Sequence, residues 1–389
     1  MSNVDGISII DVDTHIQEPP DLWTSRVPAR YRDRVPQIRW SEKDQAEFWF
    51  MGDEKLIRPG LTATAGWDDY PTAGGPARFA DIDTAFYDPR ERLQRMDADG
   101  IFAQILYPNL AAFNTQSFAA DGDRDLHTLC IQVYNDFLTE WSSEDRARFV
   151  PVASIPFWDL DASLNELARA KEMGHRGIVF SQEPRAFGLP PLTDPHWDPL
   201  WAAAQEMQLP VNFHIGTGDN SIFERLDTSF GRAAAVSSIT TFGWLTNAYT
   251  ISQLIFGGVC HRFPSLPFVV VESGVGWLPF AVDGMDWQFL GNGVHKEHPE
   301  YLLPSEYFQR QIYGSFWFEG DTAREAIRRF PNNIMYETDY PHPTSMSPGP
   351  CSPAVSPRDY VQQELGGLPR EQLRNVLHDN AARVYNLDT

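Results

Sequence analysis

Lysine is nearly missing from this 389-residue chain: Lys43, Lys55, Lys171 and Lys296 are all it has. None of them ends an apolar, strand-like run, so no lysine is available to a site built at a strand terminus. Cysteine is as scarce. Cys130, Cys260 and Cys351 are widely spaced, form no CxxC pair, and read as free thiols of a reducing compartment. No apolar run reaches the ~18 residues of a membrane span, and the N-terminus lacks the basic-then-apolar layout of a secretory signal. Positive charge is short: 31 Lys and Arg against 53 Asp and Glu leave a formal charge of -22. That balance excludes nucleic acid and anionic membrane surfaces as partners. The phosphate-cradling loops GxGxxG and GxxxxGK[ST] follow none of the early strands. The remaining class is a cytoplasmic protein of enzyme size, whose 42% hydrophobic residues can fill a large core. With no repeat, low-complexity tract or linker, residues 1–389 read as a single domain.

What is present is an alternation. Eight short β-like runs occur in order: Ser8–Asp13, Phe102–Tyr107, Phe149–Ile155, Gly177–Phe180, Pro210–His214, Phe268–Glu272, Ile312–Phe318 and Ile334–Thr338. Between and after them lie amphipathic stretches at Leu126–Trp141, Leu160–Met173, Asp198–Met207, Asp321–Arg329 and Arg370–Tyr385. Strands alternating with helices imply parallel pairing with right-handed crossovers. The expected fold class is therefore α/β, a (β/α)8 TIM-like barrel, with an open doubly wound sheet as the runner-up. Two segments exceed ordinary connections. Pro19–Arg90, rich in Pro, Gly and Trp, is an insertion after the first strand and is expected to be a lid or an oligomer contact. Gly216–Gly258 is the second.

Reactive groups of such a barrel sit at the C-terminal strand ends. Asp13 and His15 end the first run two residues apart. Side chains alternate along a strand, so Asp13 and His15 point the same way, as do Asp11 and His15. His214 ends the fifth run and Asp339 follows the eighth. Two imidazoles and two carboxylates make a ligand set for one divalent metal, Zn²⁺ first and Mn²⁺ second. Such a cation lowers the pKa of bound water and polarises a carbonyl.

Several stretches carry a resemblance. Asp-Val-Asp-Thr-His-Ile-Gln-Glu-Pro (11–19), Arg-Leu-Gln-Arg-Met-Asp-Ala-Asp-Gly (92–100), Leu-Pro-Val-Asn-Phe-His-Ile-Gly (209–216) and Thr-Asp-Tyr-Pro-His (338–342) are similar to the amidohydrolase superfamily. The closing Asn-Ala-Ala-Arg-Val-Tyr (380–385) and the stretch 262–274 fit it as well. Within it, the chain resembles the branch of aminocarboxymuconate-semialdehyde decarboxylase and the hydroxybenzoate decarboxylases. The resemblance implies a metal-dependent barrel whose first-strand pair is Asp13 and His15, whose fifth-strand His is His214 and whose eighth-strand Asp is Asp339. Binuclear members bridge two metals with a fourth-strand lysine. The run at 175–182 offers none, so one metal is expected.

One departure bears on the reaction. Those decarboxylases carry a catalytic His at the end of strand six, where this chain has Glu272-Ser273-Gly274. A Glu there is suited to act as a base toward water, and protonates a carbon only if burial raises its pKa. The preferred expectation is a hydrolase acting on a small ring-bearing acid, amide or enol-ketone. Glu272 serves as base, His342 as proton donor to the leaving group, and Asp339 as ligand and catalytic carboxylate. The alternative is a non-oxidative decarboxylase of an aromatic or muconate-like acid, and a metal-stabilised scaffold without turnover is a third. Glu18 is expected to pair with an arginine and Asp11 to be a paired buried carboxylate. One or two of Trp277, Trp287, Trp317, Phe180 and Phe223 are expected to line the pocket. Arg185, Arg225 or Arg232 is expected to reach a substrate carboxylate. The partner is a small molecule, and a symmetric homo-oligomer is expected.

Overall fold

The computed structural model describes residues 3–113, 123–218 and 226–387. Each of the eight β-like runs contains strand. In chain order the strands are β1 (Ile9–Ile16), β2 (Pro36–Ser41), β3 (Ala46–Met51), β4 (Glu54–Lys55), β5 (Ile101–Pro108), β6 (Phe149–Pro151), β7 (Ala153–Ser154), β8 (Ile178–Val179), β9 (Val211–His214), β10 (Phe268–Val271), β11 (Ile312–Phe316) and β12 (Ile334–Tyr336). The helices of eight or more residues are α1 (Pro89–Asp99), α2 (Arg124–Ser142), α3 (Leu160–Met173), α4 (Asp198–Glu206), α5 (Arg232–Gly243), α6 (Thr246–Phe256), α7 (Leu278–Gly291), α8 (Pro304–Gln311) and α9 (Asp321–Arg329). None of the described helices is long and apolar enough to cross a membrane.

Helix limits follow local chemistry. The Asp88 carboxylate accepts from the N–H groups of Arg90 and Glu91 and starts α1, and Gly100 ends it in the left-handed region. Asp123 and Asp159 cap α2 and α3 in the same way.

The major strands are all parallel. One sheet runs β1-β5-β6 and the other β12-β11-β10-β9-β8-β7, and a single residue, Val152, separates β6 from β7. At the opposite seam Thr14 bridges Tyr340, His15 N–H donates to the Tyr340 carbonyl (2.7 Å) and Asp339 N–H to that of Asp13 (2.9 Å). The strands separate two apolar layers. Ile10, Val12, Ala103, Ile105, Val269, Val271 and Met335 face one, with Tyr385 from the C-terminal helical stretch inserted among them. Ile9, Leu106, Phe268, Val270 and Ile334 face the helices. Both faces are buried, so strands read as continuous apolar runs such as Phe-Val-Val-Val at β10. Each such side chain contributes about 1.5–3 kcal/mol of transfer free energy.

β1 breaks simple alternation. Asp11 pairs with Gln104 and Thr14 with Leu106, so two residues, Val12 and Asp13, stand opposite Ile105 alone. This bulge flips the phase. Asp11 lands on the helix side, where Gln104 and then Arg92 of α1 are its neighbours, whereas Asp13 and His15 face inward. The expectation that Asp11 and His15 share a face is corrected by that extra residue.

Within the 19–90 insertion, β2, β3 and β4 form a small antiparallel sheet. Trp23 and Trp49 pack edge-on at 5.5 Å in the core, and the Trp23 indole donates to the Cys130 carbonyl. A second part of the insertion packs Ala63, Ala65, Ile82 and Phe86 against Tyr340. Thr64 and Ala65 N–H groups donate to the Pro341 carbonyl (3.0 and 3.1 Å). The insertion therefore leans on the loop after β12. The three cysteines are free, Cys130 and Cys260 buried and Cys351 half-buried.

Candidate metal centre

Asp13, His15, His214 and Asp339 meet at the C-terminal ends of the strands, all buried. His15 Nε2 and His214 Nε2 stand 3.1 Å apart, and Asp13 Oδ1 lies 3.3 Å from each. Asp339 Oδ1 lies 3.6 Å from His15 Nε2. The other nitrogen of each ring faces a backbone carbonyl, His15 Nδ1 that of Pro108 (3.3 Å) and His214 Nδ1 that of Ile215 (2.8 Å). Donation to those carbonyls fixes the Nδ1–H tautomers and turns both Nε2 lone pairs toward one point. Asp13 Oδ2 is buried and has no hydrogen-bond partner among the described residues. Two converging nitrogens and an unsatisfied carboxylate oxygen fit a divalent cation held by N and O donors. Three overlapping groups have ligand atoms within 4.8 Å of one another: Asp13–His15–His214, His15–Asp339–His342 and Asp13–Glu272–Asp339. They share members and describe one centre.

Glu272 enters this centre by an unusual route. Alternation along β10 would send it outward with Phe268 and Val270. Its backbone instead adopts φ +53°, and its Oε2 lies 3.7 Å from His214 Nε2. Asp339 has φ +55°. Left-handed backbone at two non-glycine residues of one cluster is the kind of strain that functional sites retain. Thr344 links them, its hydroxyl within 2.5 Å of Asp339 Oδ2 and 3.5 Å of Glu272 Oε1. Beneath them, Glu337 is buried and its Oε2 accepts the Glu272 N–H at 3.3 Å.

The field follows from burial and this crowding. Burial opposes charge on Asp13, but His214 and His15 outweigh it and hold the carboxyl well below its usual range. Burial and the neighbouring His342 push His15 down to about 3. For His214 burial acts downward, but Asp13 prevails and raises it. Burial pushes the Glu272 carboxyl far up, and Asp339, Asp13 and Glu337 add to the effect. Asp339 is raised by burial against the pull of His342.

His342 stacks on His15 at 3.7 Å and 15° between planes. Its Nδ1 is 3.0 Å from Asp339 Oδ1 and its Nε2 2.6 Å from Asn109 Oδ1. The Asn109 amide donates to the Ile16 carbonyl, so its oxygen faces the imidazole. Glu18 differs from expectation: it accepts the N–H groups of Asn109 and Leu110 (3.0 and 2.8 Å) instead of pairing with an arginine, and burial raises it to about 7. Asp11 accepts from the Thr338 N–H and hydroxyl (2.8 and 2.5 Å), as a buried structural carboxylate would.

Aromatic candidates scatter. Trp287 is exposed on the outside of α7, Trp317 is buried with its indole donating to the Thr344 carbonyl, and Trp277 donates to the Ser273 carbonyl. Phe180 lines a small cavity with Ser154, Ser181 and Thr217. Arg185 is exposed and Arg232 donates to the Thr72 carbonyl, whereas Phe223 and Arg225 lie outside the described residues. The missed neighbours are Tyr107, Asn109, Glu337 and Thr344. Glu337 alone had a sequence signal, standing two residues before Asp339. Tyr107 forms the floor, its ring 5.4 Å from that of His214 and its hydroxyl donating to Asn212 Oδ1 (3.0 Å), which also accepts from Tyr385 (2.7 Å).

Comparison with known proteins adds four findings. The family described as Amidohydrolase matches residues 10–387. A curated relative, 2-amino-3-carboxymuconate-6-semialdehyde decarboxylase of Dictyostelium discoideum, is 25% identical over 322 residues, 80% of each chain. Among solved structures, an amidohydrolase of Mycobacterium avium subsp. paratuberculosis K-10 superposes with a TM-score of 0.76 at 20% identity, over 98% of this chain and 99% of its own. A dihydroxybenzoic acid decarboxylase of Polaromonas sp. JS666, with bound manganese and the inhibitor 2-nitroresorcinol, gives 0.63 at 19% identity over 98% of both chains.

Proposed function

The chain belongs to the amidohydrolase family, and from that premise we propose that it is a metal-dependent, non-oxidative decarboxylase of a small aromatic or muconate-like acid. The observation that carries the reading is the placement of Glu272, buried within reach of His214, Thr344 and Asp339. Sequence reasoning favoured hydrolysis because a strand-end Glu is ordinarily ionised. Burial, with Asp339, Asp13 and Glu337 adding to it, pushes the Glu272 carboxyl well above its usual range, and a protonated Glu272 is the acid that decarboxylation needs. The curated relative, a decarboxylase, points the same way.

Asp13, His15, His214 and Asp339 would hold the cation, with Glu272 and His342 beside it. When bound, the cation supplies positive charge that holds a substrate carboxylate and a neighbouring hydroxyl or carbonyl and draws electron density toward itself. Glu272 transfers its proton to the carbon bearing the carboxylate. The bond to that carboxylate then breaks, its electron pair returns to the ring or diene, and CO₂ leaves. Glu272 regains a proton from solvent. His342, held between Asn109 and Asp339, keeps the Asp339 carboxylate aimed inward. The insertion at Ala63–Ala65 and Phe86 walls this side of the site, and the Thr14–Tyr340 seam is read as closing the eight-stranded barrel. Manganese in the Polaromonas relative makes Mn²⁺ a candidate equal to the Zn²⁺ that the ligand set suggests.

A panel of hydroxybenzoates and muconate-like acids in D₂O tests the reading. CO₂ release with one deuterium at the vacated carbon is expected. Hydrolysis is the second reading: Glu272-Ser273-Gly274 departs from the His that the family resemblance implies there, and an ionised Glu272 would suit a base toward water. Product carrying oxygen from ¹⁸O-water without CO₂ would establish hydrolysis and overturn decarboxylation.

A further inference from the structure

Among the described residues, Arg92 is the one arginine or lysine that is fully buried. Arg92 and Met96 form the inner face of α1. The hydrogen bonds of Arg92 all end on uncharged acceptors. Nε donates to the Ala85 carbonyl (2.7 Å), Nη1 to Gln104 Oε1 (3.1 Å), and Nη2 to the carbonyls of His15 (2.7 Å) and Phe86 (3.4 Å). A charge buried without a carboxylate beside it is costly, and a methionine would fill the same space without that cost. Helix packing therefore does not explain this side chain. What a guanidinium offers is a rigid fork of donors, able to hold acceptors from separate segments at once.

The segments joined here all bear on the metal centre. Ala85 and Phe86 belong to the turn Thr84–Phe86 of the insertion, and the Phe86 carbonyl also accepts the Gln17 N–H (2.9 Å). His15 is a ligand candidate. Arg92 holds its carbonyl and the Tyr340 carbonyl holds its N–H, while the Tyr340 ring lies 4.6 Å from the guanidinium. On the other side, Gln104 Nε2 reaches Asp11 (3.4 Å), and Asp11 holds Thr338, the residue before Asp339. One side chain thus stands behind two of the four ligand candidates and against the insertion.

We propose that Arg92 is a positioning residue of the metal centre, fixing His15 through its carbonyl and making cation affinity depend on docking of the turn Thr84–Phe86. The inference rests on the reading of His15 as a metal ligand. Coupling of this kind is reciprocal, so a cation at the centre stabilises the docked turn.

Chelated protein titrated with Mn²⁺, with the free ion followed by electron paramagnetic resonance, reads affinity without reference to turnover. Arg92→Met should weaken binding about 10- to 100-fold, with the circular dichroism spectrum unchanged. Arg92→Lys should also weaken it, since one ammonium cannot span both segments. Arg95→Met removes the neighbouring guanidinium, 6.0 Å from the same Tyr340 ring, and should leave affinity unchanged. A purely structural role predicts another pattern: a lower Tm for Arg92→Met at unaltered Mn²⁺ affinity, and rescue by Arg92→Lys. If Arg92→Met does not fold, hydrogen exchange of the unaltered protein decides, and Mn²⁺ should slow exchange at 84–88 and Gln17 relative to Leu160–Met173. Arg92 variants that bind Mn²⁺ as tightly as the unaltered protein, equal loss in Arg95→Met, or exchange at 84–88 unmoved by the cation would each overturn the proposal and leave the metal centre standing. Failure of the unaltered protein to bind either Mn²⁺ or Zn²⁺ would overturn both.

Discussion

At the scale of single residues, direction decides more than identity. Glu272 matters because a left-handed backbone turns it toward His214, not because a glutamate follows a strand. Replacing it with Gln keeps its size and its contact with Thr344 but removes the transferable proton. Turnover of Glu272→Gln is expected to fall about 10²- to 10⁴-fold, with bound metal at the level of the unaltered protein. Rate assays beside elemental analysis check this, and a variant retaining a tenth of the rate would dismiss Glu272 as the acid. His214→Ala should behave differently, losing metal and turnover together. The four ligand candidates were legible because alternation and strand ends suffice to find them. Asn109 and Thr344 were not, since each reaches the centre from a loop whose path no periodicity encodes. The direction of Asp11, though not its role as a paired buried carboxylate, was misread for a related reason: the bulge opposite Ile105 leaves no mark on the apolar pattern.

At the scale of elements the apolar periods located all eight strand runs, and α3 and α9 match their predicted spans. How helices dock was not legible, because it rests on isolated polar contacts. Between α2 and α3, Asn135 donates to the Ser154 carbonyl (2.9 Å) and to Glu166 (2.6 Å), and Thr139 meets His175 Nε2 at 2.9 Å. Burial lowers His175 to about 4 from an ordinary 6.5. The unfolded chain therefore takes up a proton near 6.5 that the folded chain refuses until about 4. Between those values the unfolded state holds more protons, so this site's contribution to stability falls as pH drops from 6.5 to 4 and is level below. The loss is roughly 3 kcal/mol. Denaturant unfolding of the protein and of His175→Gln should show a difference that shifts against the unaltered protein across that window. A difference that stays flat from pH 7 to pH 5 would remove the argument.

At the scale of the whole molecule, the centre joins parts that are distant in sequence. The ligand candidates come from β1, β9 and the loop after β12. Directly below, Tyr107 and Tyr385 share the Asn212 side chain, so the C-terminal helical stretch is tied to the floor of the site. Withdrawing a cation leaves Asp13 Oδ2 unsatisfied and sets two imidazole lone pairs against each other, and each uncompensated buried polar group costs about 1–3 kcal/mol. Linkage gives a similar figure, about 2.7 kcal/mol at a metal concentration 100 times Kd. Chelation should therefore lower the calorimetric Tm, and Mn²⁺ or Zn²⁺ should restore it. His214→Ala should show neither change, which separates binding at this centre from binding elsewhere. Hydrogen exchange should quicken on chelation at 380–385 as well as at the ligands, because the Tyr385 hydroxyl rests on the floor beneath them. If metal leaves with the chelator while Tm and exchange at both places stay put, the four ligands do not hold it, and the chemistry assigned to this end of the strands would have to be sought elsewhere.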